Sequence, residues 1–180
     1  MSDLMLAWDN DTQTADLVLE DGQLATDDTL QTSVIVSLFT DQRADDDDVL
    51  PDYVSPQMPG SGDRRGWWGD HYLPDALAAI AAGLGLTPLP VDRWGSRLWL
   101  LFRVKDTSEA LQRAKEYAQE ALQWMLDNDV ASAVNVIASS VAGDPGSART
   151  LLLQIEIVKP DKTTENYAFD YAWRAQALAA

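Results

Sequence analysis

The densest concentration of chemically capable side chains lies in residues 62–70, which read Gly-Asp-Arg-Arg-Gly-Trp-Trp-Gly-Asp. Glycine permits close backbone approach or a positive φ, tryptophan buries a large apolar area, and arginine offers a planar fork for carboxylates or carbonyls. This combination is typical of a docking element. Paired tryptophans after a glycine-rich turn also fill a protein's own core, so the sequence leaves open whether Trp67 and Trp68 face the core or a partner.

Other chemistries have weaker support in this sequence. The glycine-rich run lacks the Gly-Lys-Ser/Thr ending of a phosphate-binding loop. The acidic run from Asp45 to Asp48 lacks the alternating ligands, central glycine and late glutamate of an EF-hand, which favours a solvated acidic loop. His71 is the only histidine, so a metal site built on several imidazoles is excluded, and a hydrogen-bonded loop residue is favoured over a catalytic one. No cofactor and no metal are expected.

Paired carboxylates form the remaining catalytic hypothesis, because Asp63 and Asp70 bracket the tryptophan pair. An acidic chain with 7 tryptophans is compatible with a glycosidase or a carbohydrate-binding module. However, 29 aspartates and glutamates make chance pairs inevitable, and no pattern places two of them across a cleft. The cluster therefore favours ion pairs and stacking that fix a loop. A cell-wall glycosidase remains an alternative.

Composition bounds the class of protein. A length of 180 residues suits one domain with a sizeable core, and the formal charge of −16 opposes binding to nucleic acid or to an anionic membrane. The chain has no cysteine, which excludes disulfides and fits a reducing compartment. No apolar run approaches the length of a membrane span, and the acidic N-terminus does not resemble a signal peptide.

The first half of the chain predicts a hairpin, a helix and a long irregular region. Residues 17–24 alternate around Asp21 and Gly22, which indicates a β-hairpin that opens the chain. Residues 29–39 show helical spacing after the potential caps in Thr-Asp-Asp. Residues 41–94 hold no sustained period and are expected to form an irregular loop region. The apolar run 95–103 fits a short helix or a buried strand, with a short helix favoured.

The second half predicts one long helix followed by strands. A helix over residues 107–126 is indicated by Asp106 three residues before Glu109, a variant of the capping box. One apolar face contains Leu111, Ala114, Ala118, Ala121, Leu122 and Met125. The last fifty residues then alternate with a period of two in three segments separated by turns at 143–146 and 159–162. The predicted fold class is α+β, a single domain over residues 1–180 with the long helix packed on a three-stranded antiparallel meander.

Three segments carry a family resemblance. Residues 62–70, residues 95–103 (Gly-Ser-Arg-Leu-Trp-Leu-Leu-Phe-Arg) and residues 117–125 (Tyr-Ala-Gln-Glu-Ala-Leu-Gln-Trp-Met) occur in this order before the meander. Together they resemble the Mu-like phage tail baseplate protein family, which is related to the baseplate wedge and sheath-initiator proteins of contractile tails. The resemblance covers nearly the whole chain. Two departures are Asp63 where the wider group has glutamate and an insertion at 73–92.

The resemblance implies a structural, non-enzymatic subunit of a contractile tail baseplate, present in several copies and assembled in the bacterial host cytoplasm. The implied partners are other wedge proteins and the tail sheath protein, with no nucleic acid and no membrane. A small acidic protein-binding module is the further alternative. The predicted partner-binding residues are Asp63, Arg64, Arg65, Trp67, Trp68, Asp70 and Arg97.

Overall fold

The computed structural model describes residues 3–12, 14–50, 64–66, 83, 94–101, 107–141 and 150–172. Within these ranges the fold is α+β, as predicted. Short strands come first, then a helix, a single 3₁₀ turn, a long helix and a three-stranded sheet. The long helix and the sheet enclose the main apolar core, and the N-terminal strands pack at its side.

The N-terminal strands pair two by two. They are β1 (Asp3–Leu4), β2 (Leu6–Asp9), β3 (Thr14–Leu17), β4 (Leu19–Glu20), β5 (Gln23–Leu24) and β6 (Thr26–Asp27). The antiparallel pairs are β1–β6, β2–β3 and β4–β5. Backbone hydrogen bonds among Met5, Val18 and Ala25, of 2.8 to 3.0 Å, connect the three pairs where they meet. The result is a small strand unit rather than one hairpin.

The predicted hairpin is confirmed, but the prediction that it opens the chain is wrong. Asp21 and Gly22 form the turn between β4 and β5 with φ of 50° and 77°, the positive values that a type I′ turn requires. The β2–β3 hairpin precedes it. Its loop depends on the Asp9 carboxylate, which accepts the backbone N–H groups of Asp11 and Thr12 at 2.8 and 3.1 Å. This side-chain turn carries no Asn-Gly or Asp-Gly signal.

The first helix, α1 (Gln31–Phe39), begins two residues later than predicted. Two carboxylates hold the preceding turn. Asp27 accepts the N–H groups of Thr29 and Thr32 at 2.7 and 3.1 Å, and Glu165 accepts the N–H of Leu30 at 3.0 Å. The helix therefore begins only after the chain has passed Asp27. Glu165 lies on the last strand, so half of this cap was invisible to local sequence patterns.

The long helix, α2 (Ser108–Asp127), confirms the prediction to within one residue at each end. The predicted cap is wrong, because the Thr107 side chain accepts the Ala110 N–H at 3.2 Å, whereas Asp106 lies outside the described residues. Leu111, expected on the apolar face, is half-buried. The buried residues of α2 are Ala110, Ala114, Ala118, Ala121, Leu122 and Met125.

The C-terminal sheet is the predicted meander. Its strands are β7 (Ala133–Val141), β8 (Thr150–Val158) and β9 (Thr164–Ala172), hydrogen-bonded in the order β7–β8–β9. Side chains alternate, so that Val136, Ile155 and Phe169 face the α2 side, consistent with a strand period of two. The turn at 159–162 is confirmed with Lys162 at φ 69°, and the turn predicted at 143–146 lies outside the described residues.

Aromatic stacking joins the N-terminal strands to the sheet. The Trp8 and Phe39 rings are stacked with centroids 3.7 Å apart, and Phe169 meets Phe39 edge-on at 5.3 Å. Such pairs stabilise beyond their buried area. The N-terminal unit, α1 and β9 therefore share one aromatic cluster.

The structure describes only part of the predicted irregular region, residues 41–94. Residues 41–50, 64–66 and 94 contain no helix or strand apart from a single bridge between Asp41 and Ser96. Gly83 has helical backbone geometry, and the rest of this region lies outside the described residues. The helical alternative for the following apolar run is confirmed as a 3₁₀-helix, Leu98–Leu101, all of whose side chains are buried.

Candidate partner-binding site

The candidate site is built on a close crossing of two backbone segments. Gly95 has φ of 94°, and a Cβ at this position would lie 2.3 Å from the Thr40 carbonyl oxygen, so only glycine fits. The Ser96 N–H donates to Thr40 O at 2.9 Å, and the Gln42 N–H donates to Ser96 O at 2.9 Å. The Ser96 hydroxyl also donates to the Leu38 carbonyl. The crossing fixes the start of the segment that follows α1.

That segment, residues 41–50, is called the acidic loop here. Trp99 holds the start of the acidic loop, because its indole Nε1–H donates to the Gln42 carbonyl at 2.8 Å. Ala44, Trp99 and Leu100 form a second small buried cluster, with Leu50 and Tyr117 packed against it. The acidic loop therefore rests on apolar side chains even though its sequence is strongly polar.

Arg97 is the centre of the polar contacts on this loop. Its Nη1 lies 2.8 Å from Asp45 Oδ2 and 3.1 Å from Asp48 Oδ2, and its Nη2 lies 2.5 Å from Glu120 Oε2. The guanidinium also stacks over the Tyr117 ring at 4.8 Å, and the side chain is only 15% exposed. Glu120 and Tyr117 belong to α2, so this arginine ties the acidic loop to the long helix.

The charges at this centre reinforce one another. Burial opposes the charged form of Arg97, but its hydrogen bonds to Glu120 and Asp48 outweigh that effect and raise its pKa above the ordinary value. Burial, with the negative charge of Asp48, raises the pKa of the Tyr117 hydroxyl. The arginine is therefore always charged, and the three carboxylates around it leave the cluster with a net negative charge.

The Arg64 side chain binds the backbone of the acidic loop. Its guanidinium donates to the carbonyl oxygens of Ala44, Asp45 and Asp46, the shortest at 2.6 Å to Asp45. Its own carbonyl accepts the Ala44 N–H at 3.1 Å. A planar fork is suited to several carbonyls in one turn, which a lysine would not bind equally well.

Arg65 contacts the start of the same loop. Its Nη1 lies 2.7 Å from Asp41 Oδ2, and its guanidinium lies 5.1 Å from the centre of the Trp99 ring. Arg65 and Gly66 both have positive φ, 39° and 110°. The first of these values is uncommon for a residue with a side chain, so the turn at 65–66 is held by its contacts.

The interpretation of the acidic run as a solvated loop is wrong for two of its four residues. The Asp48 side chain is 12% exposed and the Asp45 side chain 29% exposed, and both are paired with Arg97. Asp46 and Asp47 remain exposed. The partners lie 49 to 52 residues away along the chain, so local composition could not reveal them. Sequence reasoning also missed Asp41, Glu120 and Tyr117 as members of this site.

The structure brings together three of the seven predicted partner-binding residues. Arg64, Arg65 and Arg97 converge on the acidic loop, and we call these three residues the arginine clamp. Asp63, Trp67, Trp68 and Asp70 lie outside the described residues, as does His71. The contacts of the arginine clamp given above are all with its own chain. A partner-binding role for the seven residues stays a prediction.

The described residues meet the requirements of neither a metal site nor a membrane-spanning helix. In them, no group of three or more histidine, cysteine, aspartate or glutamate side chains is arranged to hold a metal ion. No helix among the described residues is long and apolar enough to cross a membrane.

Taken together, these elements define a small α+β protein with an apolar helix–sheet core and an acidic loop fixed by arginines. A family model described as "Phage protein GP46" matches residues 30–164. The chain therefore belongs to the GP46 family of Mu-like phage baseplate proteins.

Two curated relatives span almost the full chain. It is 39% identical over 173 residues to "Baseplate protein gp46" of Escherichia phage Mu, covering 96% of this chain and 98% of that protein. It is 38% identical over 173 residues, with the same coverage, to "Mu-like prophage FluMu protein gp46" of Haemophilus influenzae. No solved structure matches the chain.

Proposed function

We propose that this chain is a structural subunit of a phage tail baseplate. The observation that carries the proposal is the near full-length similarity to a protein named for the baseplate of phage Mu. It locates the chain in the virion tail and implies contacts with other baseplate components. On the same basis we propose that it acts as a single domain without enzymatic activity, in several copies, after assembly in the host cytoplasm.

We further propose that the subunit is a wedge component that contacts neighbouring wedge proteins and initiates the sheath of a contractile tail. The outer edge of β7 supports this role. Among the described strands, none pairs with that edge. The nine residues of β7, Ala133–Val141, include no charged residue and no proline, and Ile137 and Val141 are 60% and 45% exposed.

Such an edge suits strand addition. Natural edge strands are commonly protected by lysine, proline or a bulge, because unprotected edges pair with other chains. The β7–β8 register runs without interruption over all nine residues, so no bulge protects this edge. A strand from a sheath or wedge subunit would extend the meander through main-chain hydrogen bonds to β7.

The seven predicted partner-binding residues form the second part of the proposal. The arginine clamp fixes the acidic loop while Asp46 and Asp47 remain exposed, which leaves a rigid acidic surface beside Arg64. We expect Arg64→Ala combined with Arg65→Ala to leave the monomer folded and to block tail assembly. Circular dichroism and electron microscopy of particles provide the two measurements. Normal tails, or an unfolded monomer, would remove this part of the proposal.

The edge proposal is tested with matched lysine substitutions. Ile137→Lys adds a charge to β7, while Gln154→Lys adds the same charge to its exposed neighbour on the central strand β8. Because both sites are exposed, each variant should keep the free energy of unfolding within about 0.5 kcal/mol. We expect Ile137→Lys to reduce sheath-bearing tails strongly and Gln154→Lys to leave them unchanged. Equal behaviour of the two variants would contradict strand addition at β7.

A further inference from the structure

The hairpin β4–β5 projects from the body of the protein. All six residues from Leu19 to Leu24 are exposed, and so are the four residues of β3 before them. An isolated two-stranded hairpin is at best marginally stable in water. Its stability in this chain comes from the backbone bonds at its base, where Val18 and Ala25 meet Met5.

This hairpin displays apolar side chains at its most exposed point. Leu19 and Leu24 are register partners across the two strands, so their side chains lie on the same face. They are 66% and 48% exposed. Leu17, on the adjoining strand, is also exposed. Isolated exposed leucines are ordinary, but a paired cluster on a projecting element is typical of a binding surface.

The chain segment that carries these leucines has charges of a single sign. Residues 1–42 contain nine aspartates and glutamates and no lysine, arginine or histidine. Glu20 follows Leu19 on β4 and Asp21 lies in the turn, while Asp9 and Asp16 lie on the neighbouring hairpin. The apolar pair therefore lies on a segment that carries only negative charge, which a partner has to complement.

We propose that the β4–β5 hairpin inserts its Leu19–Leu24 pair into an apolar depression ringed by lysine and arginine on another subunit of the tail. Charge complementarity favours a partner surface with basic residues. A second copy of the chain would bring two surfaces of the same negative sign together, which opposes self-association through this hairpin. The inference rests on the proposed baseplate role and adds a contact that is separate from the β7 edge.

The experiment uses the full chain in tails assembled in a host that carries the tail genes. A photoreactive benzoylphenylalanine replaces Leu19, and in a control chain it replaces Gln112, which is exposed on α2. Purified tails are irradiated, and the joined peptides are identified by mass spectrometry. We expect position 19 to join to one other tail subunit, at a peptide in which apolar residues are flanked by lysine or arginine.

A matched pair of variants measures the contribution of the leucines. Leu19→Ser with Leu24→Ser should reduce incorporation into tails at least tenfold, whereas Gln119→Ser, at an exposed residue of α2 outside the hairpin and the acidic loop, should not. Circular dichroism verifies that each purified variant is folded. Incorporation of the double variant at the level of Gln119→Ser would overturn the inference. Attachment of position 19 to a second copy, to its own chain, or to a surface without basic residues would also overturn it.

The two proposals fail in distinguishable ways. If immunoblotting finds no unmodified chain in purified tails, the baseplate role itself fails, and this inference fails with it. If the chain is present in tails but position 19 joins to no other subunit, the baseplate role stands and the hairpin inference alone is wrong.

Discussion

The helix–sheet core and the acidic loop are stabilised in different ways. Between α2 and the meander the contacts are apolar, as with Leu122 and Ile155, which are completely or almost completely buried. On the acidic loop the fixed positions come from charged contacts, above all those of Arg97 with Asp48 and Glu120. The first region therefore provides most of the stability, whereas the second determines the shape of a surface. Substitutions in the two regions should differ in size and in salt dependence.

The largest effect is expected in the core. Leu122→Ala should lower the free energy of unfolding by ~2–5 kcal/mol, because it opens a cavity where α2 meets the sheet. Denaturant unfolding measures the change. Leu19→Ala, at the exposed end of the hairpin, is the control and should change stability by less than about 0.5 kcal/mol. Similar losses in the two variants would mean that the core assignment is wrong.

The second-largest loss of stability is expected at the backbone crossing between Gly95 and Thr40. Gly95→Ala places a Cβ against the Thr40 carbonyl and strains a positive φ, so we expect a loss of ~1–3 kcal/mol. Gly83→Ala is the matched control, because Gly83 is exposed, has helical geometry and leaves open space where a Cβ would lie. That control should be neutral or stabilising by up to about 1 kcal/mol. Thermal unfolding of the two variants measures the change in stability. An unchanged stability in Gly95→Ala would contradict the close approach of Gly95 to Thr40.

The arginine clamp should contribute less, and in a salt-dependent way. Arg97→Ala leaves Asp45, Asp48 and Glu120 without their shared cation, and we expect a loss of ~1–2 kcal/mol, because part of the cluster is exposed to solvent screening. Arg113→Ala breaks an exposed pair with Glu109 and should cost only about 0.3–0.5 kcal/mol. Raising the salt concentration should reduce the difference in the free energy of unfolding between Arg97→Ala and the parent. A loss independent of salt would indicate packing rather than charge as the cause.

The smallest effect concerns the cap of α1 and depends on pH. Burial alone would raise the pKa of Asp27, but hydrogen bonds from Thr29 and Thr32 outweigh it and hold the pKa below its ordinary value of 3.8. A carboxylate with a lowered pKa stabilises the fold above its ordinary pKa, and this contribution is lost as the pH falls through that value and below. Asp27→Asn should cost ~1 kcal/mol at pH 7 and progressively less below about pH 4.

Unfolding measured between pH 7 and pH 3 tests this dependence. The neighbouring exposed residue provides a control, Asp28→Asn, which should change the free energy of unfolding at pH 7 by less than about 0.5 kcal/mol. If the parent and Asp27→Asn lose stability in parallel as the pH falls, the cap does not depend on the Asp27 charge.

These differences also explain how much the sequence could predict. Helix α2 and strands β7–β9 repeat an apolar residue at a fixed spacing, and their burial follows that repeat, so their existence and order were predictable. The exact cap was not, because Thr107 and Asp106 are both good caps and only the observed Thr107 bond to Ala110 distinguishes them.

The acidic loop shows where sequence reasoning stops. The pairing of Arg97 with Asp45 and Asp48 joins positions about fifty residues apart, and no local period records it. The composition of residues 62–70 drew attention to Arg64 and Arg65, but it did not reveal their contacts with residues 41–46. The first hairpin was missed for a related reason, since the Asp9 side chain closes its loop in place of a glycine turn.

A cryo-electron microscopy reconstruction of the baseplate, in tails that contain this chain, tests the baseplate role and strand addition at β7 together. We expect density for the α2–meander core in the baseplate, with a strand from a sheath or wedge subunit continuing the sheet at the edge of β7. Tails whose baseplate lacks the chain would contradict the baseplate role. A baseplate that contains the chain with the β7 edge exposed to solvent would contradict the proposed strand addition.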